Sequence, residues 1–74
     1  MQSDTLPQPV SGPSLAKQRR QVGVAQTDLA RRLGMHRVSL SGWERAAFID
    51  PIRAARYERA LRELVAEAIN GTDA

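Results

Sequence analysis

The chain lacks cysteine, has a single histidine, and holds only three aromatic residues among its 74 residues. Without cysteine it can form neither a disulfide framework nor a thiolate metal site, and one histidine supplies no spaced set of metal ligands. No apolar run approaches the roughly 20 residues of a membrane span, and the first residues lack the basic start and apolar centre of a signal peptide. These absences predict one cytoplasmic domain, without metal or cofactor, that is stabilised by packing alone.

Positive charge is concentrated in the middle of the chain. Residues 15–59 carry ten basic and four acidic side chains, whereas the remainder carries one arginine and four acids. Nine of those ten basic residues are arginine, whose planar guanidinium suits phosphate groups and guanine edges. The distribution favours a polyanionic partner, and a basic face exposed only to solvent is the alternative.

The N-terminal stretch differs in composition from the rest. Residues 1–13 contain three of the four prolines and no periodic apolar pattern, which predicts a disordered tail. It holds no Lys or Arg, so it is a poor candidate for an arm that reaches DNA. We expect the folded domain at residues 14–70, with Ser14 as the N-cap of a first helix that ends at Gly23.

Three further segments have helical spacing, and none is typical of a strand. A short helix after Ala25 ends at Gly34, a residue suited to a left-handed C-terminal position. Asp50 and Pro51 supply a cap and a first helical residue for a long helix over about 51–70. Residues 71–74 are expected to be a disordered end.

The segment RVSLSGWER, residues 37–45, has an unusual exposed face. On a helix that advances about 100° per residue, Leu40 and Trp43 point to the core, and the opposite side carries Arg37, Val38, Ser41, Gly42 and Arg45. A glycine inside a helix costs roughly 1 kcal/mol relative to alanine, and an exposed valine gains nothing from water. This composition indicates a surface that contacts another molecule.

The preceding residues meet the steric requirements of a helix-turn-helix. Small or apolar residues occur at each packing position of that motif within residues 26–45, namely Leu29, Ala30, Gly34, Met35, Leu40 and Trp43. In such a motif the second helix is presented to the major groove of DNA.

The run GVAQTDLARRLGMHRVSLSGWERA resembles the Cro/C1-type (XRE) helix-turn-helix family in its glutamine, Leu-Ala, Leu-Gly and Trp-Glu-Arg. The resemblance covers about residues 14–64. It implies an all-α, lambda-repressor-like domain of four to five helices, with the helix-turn-helix at 26–45 and a long C-terminal helix. Members are mostly phage repressors, restriction controllers, antitoxins and small bacterial regulators, which bind double-stranded DNA as two-fold dimers.

The resemblance also implies roles for individual residues. The expected base contacts are Arg37, Val38, Ser41 and Gly42, and the expected phosphate contacts are Gln26, His36, Arg45, Arg53 and Arg56. Arg19 and Glu44 correspond to a structural ion pair. Arg37 suits guanine and Val38 a thymine methyl, while a phosphate contact or solvation for Arg37 and a loosely buried flank for Val38 remain alternatives.

Three residues depart from the family pattern. His36 stands where a serine or threonine cap is usual, and Gly42 replaces a longer polar residue. Ala46 replaces the glycine that normally ends the helix. Because alanine disfavours positive φ, we expect the third helix to continue past residue 46 by one or more residues.

The last helix has an apolar stripe formed by Tyr57, Leu61, Leu64 and Ala68. The second half of this stripe exceeds what a small core can bury. We expect a homodimer contact there, from Leu61, Leu64, Val65, Ala68 and Ile69. A cognate toxin is the alternative partner for this surface. The expected function is a repressor-type transcription regulator that binds a palindromic operator, and the alternative is an antitoxin that autoregulates its operon. An enzyme is not expected, since no nucleophile and base can be matched.

Overall fold

A computed structural model describes residues 10–71 of the chain, which form four helices. The helices are α1 (Gly12–Gln21), α2 (Gln26–Leu33), α3 (Arg37–Arg45) and α4 (Pro51–Gly71). The only β pairing in this part of the chain is one antiparallel bridge between Val10 and Ile49. The predicted all-α class is confirmed, and the four helices include the expected helix-turn-helix at residues 26–45.

The first helix begins earlier than the sequence predicts. Ser11, and not Ser14, is the N-cap, because its hydroxyl oxygen accepts from the Ser14 N–H at 3.2 Å. Pro13 lies within the first turn, where its missing N–H removes no helical hydrogen bond. Residues 10–13 of the predicted tail therefore belong to the fold, and Gly71 of the expected disordered end belongs to α4. Residues 1–9 and 72–74 lie outside the described residues.

Two glycines with positive φ produce the turns that follow α1 and α2. Gly23 has φ 75° and Gly34 has φ 71°, a region that side chains with a Cβ adopt at a cost. After Gly34, the Met35 N–H bonds to the Ala30 carbonyl at 2.9 Å, which is the pattern of a Schellman motif. Met35 then packs against the core, so this turn fixes where α3 begins.

The end of α3 is set by contact with the start of α1. α3 ends at Arg45, and Ala46 is extended, with φ −71° and ψ 138°, so the expectation that the helix continues past residue 46 is wrong. An extended alanine is unstrained, and its carbonyl accepts from the Gly12 N–H at 2.8 Å. The chain then runs to Ile49, whose N–H donates to the Val10 carbonyl at 2.7 Å. Tertiary hydrogen bonds, and not a glycine, end this helix.

The long helix α4 covers one side of the helix-turn-helix. Asp50 caps it by accepting from the Arg53 N–H at 3.0 Å, and Pro51 is its first residue. The core that α4 closes consists of Leu15, Leu29, Ala30, Leu40, Ile49, Ala54, Tyr57, Ala60 and Leu61. Arg32 of α2 pairs with Glu63 and Glu67 of α4 at the edge of this core. Within residues 10–71, no helix has both the length and the apolarity to cross a bilayer.

Candidate nucleic-acid interface

The outer face of α3 is exposed and carries most of the side chains that sequence analysis selected. Arg37, Gly42 and Arg45 are exposed, and Val38 keeps 61% of its surface accessible. Ser41 is half-buried on the same helix. An exposed valine beside arginines, on a helix whose other side is buried, leaves an apolar and cationic face available to a ligand.

His36 holds the start of α3. Its Nδ1 accepts a hydrogen bond from the Val38 N–H at 3.3 Å, and its backbone has the extended conformation of an N-cap. A side-chain acceptor at this position satisfies one of the donors left free at a helix start. His36 therefore performs the role of the missing serine or threonine, and its second ring nitrogen is not used by the cap.

Arg45 and Ser41 contact each other one turn apart on α3. The Arg45 guanidinium donates to the Ser41 hydroxyl oxygen at 2.8 Å. This bond uses one of five guanidinium donors and leaves the hydroxyl proton of Ser41 free to donate elsewhere. Because Arg45 is exposed, its remaining guanidinium donors are accessible to a ligand.

The two arginines at the start of α4 differ in how they are held. Arg53 lies 3.3 Å from a carboxylate oxygen of Asp50, and its guanidinium carbon is 5.9 Å from the centre of the Trp43 ring, within the range of a cation–π contact. Arg56 is exposed and makes no side-chain bond within residues 10–71. Arg53 therefore has two partners beside α3, whereas the positive charge of Arg56 has none within residues 10–71.

Behind the exposed face lies a buried carboxylate. Glu44 is only 7% exposed and accepts from two nitrogens of Arg19, at 2.8 and 3.1 Å. It also accepts from the Tyr57 hydroxyl at 2.6 Å and from Gln26 Nε2 at 2.8 Å. We call these four residues, Arg19, Gln26, Glu44 and Tyr57, the Glu44 cluster. Because each comes from a different helix, the cluster connects all four helices of the domain.

The cluster keeps Glu44 ionised. Burial by itself raises the pKa of this carboxyl, but the hydrogen bonds from Arg19, Tyr57 and Gln26 outweigh burial and hold its pKa below the usual range. Burial and the bond to Glu44 raise the pKa of Tyr57 well above its usual range. Since Glu44 accepts a hydrogen bond from each of these donors, its role is structural. Within residues 10–71, no three acidic or histidine side chains lie close enough together to hold a metal ion.

Gln26 links the Glu44 cluster to the exposed face. While its Nε2 faces Glu44, its Oε1 accepts from the Arg37 guanidinium at 3.4 Å. The sequence resemblance assigns Gln26 to a phosphate, but in this structure both ends of its amide have protein partners. The residue therefore lies between the core and the first arginine of α3.

Sequence analysis missed two of these contacts. Tyr57 was interpreted as part of an apolar stripe, although a buried hydroxyl requires a polar partner and so signals a buried acceptor. The stacking of Arg53 on Trp43 had no sequence signal, because it depends on how the loop between α3 and α4 brings the two residues together.

The outer surface of α4 carries the residues expected to contact a second copy. Leu61 is 6% exposed and lies in the core, and it also lines a groove together with Val65 and Ile69. Leu64 packs partly against the core. The remaining candidates, Val65, Ala68 and Ile69, line a groove together with Val22 and Val24 from the turn that follows α1. The exposed apolar surface thus joins α4 to α1, and Val22 was not expected there.

A helix-turn-helix family model matches residues 15–67, which extend from the start of α1 to the last turns of α4. No curated protein and no solved structure matches the chain significantly. The matched range includes the Glu44 cluster, the whole of α3 and both arginines at the start of α4.

Proposed function

Because the chain belongs to the Cro/C1-type helix-turn-helix family, we propose that it is a repressor-type transcription regulator that recognises a specific palindromic operator as a homodimer. DNA binding is the shared property of this family, which is not usually enzymatic. The observation that carries the proposal is the exposed face of α3, where Arg37, Val38 and Gly42 have no role in the core.

Base recognition is assigned to the N-terminal half of α3. The Arg37 guanidinium can donate two hydrogen bonds to the O6 and N7 atoms of guanine, and Val38 can pack against a thymine methyl. Ser41 and Gly42 follow one turn later on the same face. A glycine there allows the helix backbone to lie close to the floor of the groove.

Phosphate contacts are assigned to the residues that border this face. His36 and Arg45 lie at the two ends of α3, and Arg53 and Arg56 lie at the start of α4. Such contacts fix the orientation of a protein on the duplex without reading sequence. Arg53 is held by Asp50 and Trp43, so it loses less conformational freedom on binding than Arg56.

The homodimer contact is assigned to the apolar groove between α1 and α4. Val22 is 49% exposed, and with Val65 and Ala68 it forms an apolar surface that a second copy can bury around a two-fold axis. A two-fold dimer requires half-sites separated by about one turn of DNA, roughly 34 Å, or by multiples of it.

The central experiment selects binding sites from random duplexes and then titrates the selected site at several salt concentrations. We expect a two-fold symmetric consensus, and we expect Arg37→Ala to lose discrimination at one base pair in each half-site, by about 1–3 kcal/mol. Equal binding to all sequences by the wild-type protein would show that this is not a sequence-specific regulator.

Loss of a phosphate contact should change binding differently from loss of a base contact. Arg56→Ala should weaken binding to every duplex alike and reduce the salt dependence of log K by about one contact. Arg20→Ala is the matched control, because Arg20 is exposed on α1 and has no assigned contact. A changed consensus in Arg56→Ala would mean that Arg56 reads bases.

Oligomeric state tests the dimer surface. Val65→Asp should shift the sedimentation of the chain from dimer to monomer, whereas Ile52→Asp should not, since Ile52 lies near the opposite end of α4 and is 73% exposed. A wild-type chain that remains monomeric, and binds its operator only with a different protein, would instead favour the antitoxin hypothesis.

A further inference from the structure

We propose that only the neutral ring of His36, with its hydrogen on Nε2, caps α3, so that base discrimination by this helix falls when the ring is protonated. The inference rests on the proposed function, because it concerns the form in which α3 meets DNA. It also names the atom of His36 that is available to a phosphate.

The cap determines where the hydrogen of the neutral ring lies. Nδ1 of His36 accepts a hydrogen bond from the Val38 N–H at 3.3 Å, so this nitrogen carries no hydrogen of its own. A neutral imidazole has a single N–H, which is therefore on Nε2. His36 is exposed and makes no other side-chain bond within residues 10–71, so the Nε2–H can donate to a phosphate oxygen.

Protonation changes Nδ1 from an acceptor into a donor. Both nitrogens of an imidazolium carry hydrogen, and the Nδ1–H would point at the Val38 N–H, which is also a donor. The ring must then turn away from Val38, and the first turn of α3 loses its side-chain cap. The same step places a positive charge at the N-terminal end of a helix, where the helix dipole disfavours it.

His36 is the only histidine of the chain, and histidine is the side chain whose charge ordinarily changes between about pH 5 and 8. A hydroxyl cap, as in serine or threonine, gains no charge in this range. The departure from the usual cap therefore introduces a proton-dependent step at one residue.

No charged side chain within residues 10–71 competes with Val38 for the ring. On α3 itself, the Arg37 guanidinium bonds to Gln26. The charged residues of α1 and α2, the two helices packed against α3, are Lys17, Arg19, Arg20, Asp28, Arg31 and Arg32. In the described part of the chain none of these six bonds to His36, and Arg53 of α4 meets the other end of α3, at Trp43. Protonation of His36 therefore acts on α3 through the Val38 bond and not through an ion pair.

The affected turn carries residues assigned to base recognition. Arg37 and Val38 are the first two residues of α3, and the N–H that His36 holds belongs to Val38 itself. A frayed first turn widens the range of positions from which Arg37 meets guanine and Val38 meets a thymine methyl. Protonation should therefore weaken discrimination between sequences, whereas the added positive charge should not weaken binding to DNA of unrelated sequence.

The first test needs no DNA. By NMR, ring ¹⁵N shifts show which nitrogen of His36 carries hydrogen, and Cα shifts show whether residues 37–39 are helical, from about pH 8 to pH 5. We expect hydrogen on Nε2 alone at the upper end of this range, and a loss of helical shift at residues 37–39 that follows protonation of the ring. In His36→Ser, which caps without titrating, those Cα shifts should not change with pH. Unchanged wild-type shifts, or equal changes in both proteins, would overturn the proposal.

The second test measures discrimination, as the ratio of affinities for the selected operator and for a duplex altered at the base pair that Arg37→Ala affects. In the wild type this ratio should fall on the order of fivefold from about pH 8 to pH 5, as expected for loss of a helix cap. In His36→Ser the ratio should stay constant over the same range, and in His36→Ala it should be low throughout. Wild-type discrimination that is constant, or that rises as the pH falls, would mean that the neutral ring is not the recognising form and would overturn the proposal.

The two tests separate this inference from the proposed function. If the wild-type protein selects no consensus, the proposed function fails, while the NMR comparison still decides whether the cap depends on the proton. If a consensus is found and discrimination has the same pH dependence in wild type and His36→Ser, the proposed function stands and the role of the His36 proton is wrong.

Discussion

The hydroxyl of Tyr57 lies 2.6 Å from Glu44 Oε2 and joins the long C-terminal helix to the helix that presents Arg37. The same hydroxyl is 3.2 Å from the Leu15 carbonyl oxygen. A phenol has one proton to donate, and the shorter contact, to a charged acceptor, is the stronger of the two. The Tyr57 hydroxyl therefore contributes both to the stability of the domain and to the position of α3.

We expect Tyr57→Phe to lower the free energy of unfolding by about 1.5–3 kcal/mol, because Glu44 loses a charged hydrogen bond while the buried ring stays in place. Urea denaturation followed by circular dichroism measures this change. Thr27→Ala serves as a control, since its exposed side chain predicts a change within about 0.5 kcal/mol. Equal stability of Tyr57→Phe and wild type would contradict the role assigned to the hydroxyl.

Stability should also decrease in acid. The folded-state pKa of Glu44 lies below its unfolded value, so the stability that this carboxylate contributes is present above the unfolded pKa of about 4.3 and is lost as the pH falls through the folded value. In denaturation series from about pH 6 to pH 2, Glu44→Gln should show a shallower loss of stability than wild type. Glu58→Gln, whose carboxylate forms no ion pair within residues 10–71, should retain the wild-type slope, and identical slopes in all three would contradict the assignment.

Gly12→Ala should destabilise the domain by about 1–3 kcal/mol or more. A Cβ on residue 12 would lie 2.7 Å from the carbonyl carbon of Glu44 and 2.8 Å from the Ala46 oxygen. Because these are backbone atoms, the start of α1 and the end of α3 would have to separate, and the bond from Gly12 N–H to Ala46 would weaken. Thermal unfolding measures the effect, and an unchanged midpoint would show that the two helix ends are not in close contact.

Gly42→Ala should have the opposite effect on stability. A Cβ at this helical position meets nothing within 4 Å, so the free protein should gain about 1 kcal/mol from the better helix former and unfold several degrees higher. Affinity for the selected operator should nevertheless fall, because the added methyl group stands on the face assigned to the groove. Higher stability with unchanged affinity would place residue 42 outside the DNA contact.

Sequence analysis was most successful for features that depend only on neighbouring residues, such as the ends of helices. Gly34 ends α2 because a left-handed residue is needed there, and Asp50 with Pro51 starts α4 because a cap and a fixed φ are needed there. Each requirement involves only neighbouring residues, so the sequence displays it directly. The opposite orientations of Leu40 and Val38 likewise follow from the helical period.

Predictions failed where distant residues decide the outcome. Ser14 is a reasonable cap by composition, but Ser11 caps α1 because residues 10–12 are held against residues 46–49. Ala46 ends α3 for the same reason.

The sequence by itself determined four helices, the position of the helix-turn-helix and the identity of the side chains exposed on α3, since these depend on local conformational preference and on periodic burial. Arg19 was expected to pair with Glu44, and the structure shows that pair. Only the tertiary structure decided that Glu44 also accepts from Gln26 and Tyr57, and that Gln26 faces Glu44 and Arg37. The physical reason is that a buried carboxylate must be satisfied by whichever donors packing brings within reach, and that set cannot be identified from spacing along the chain.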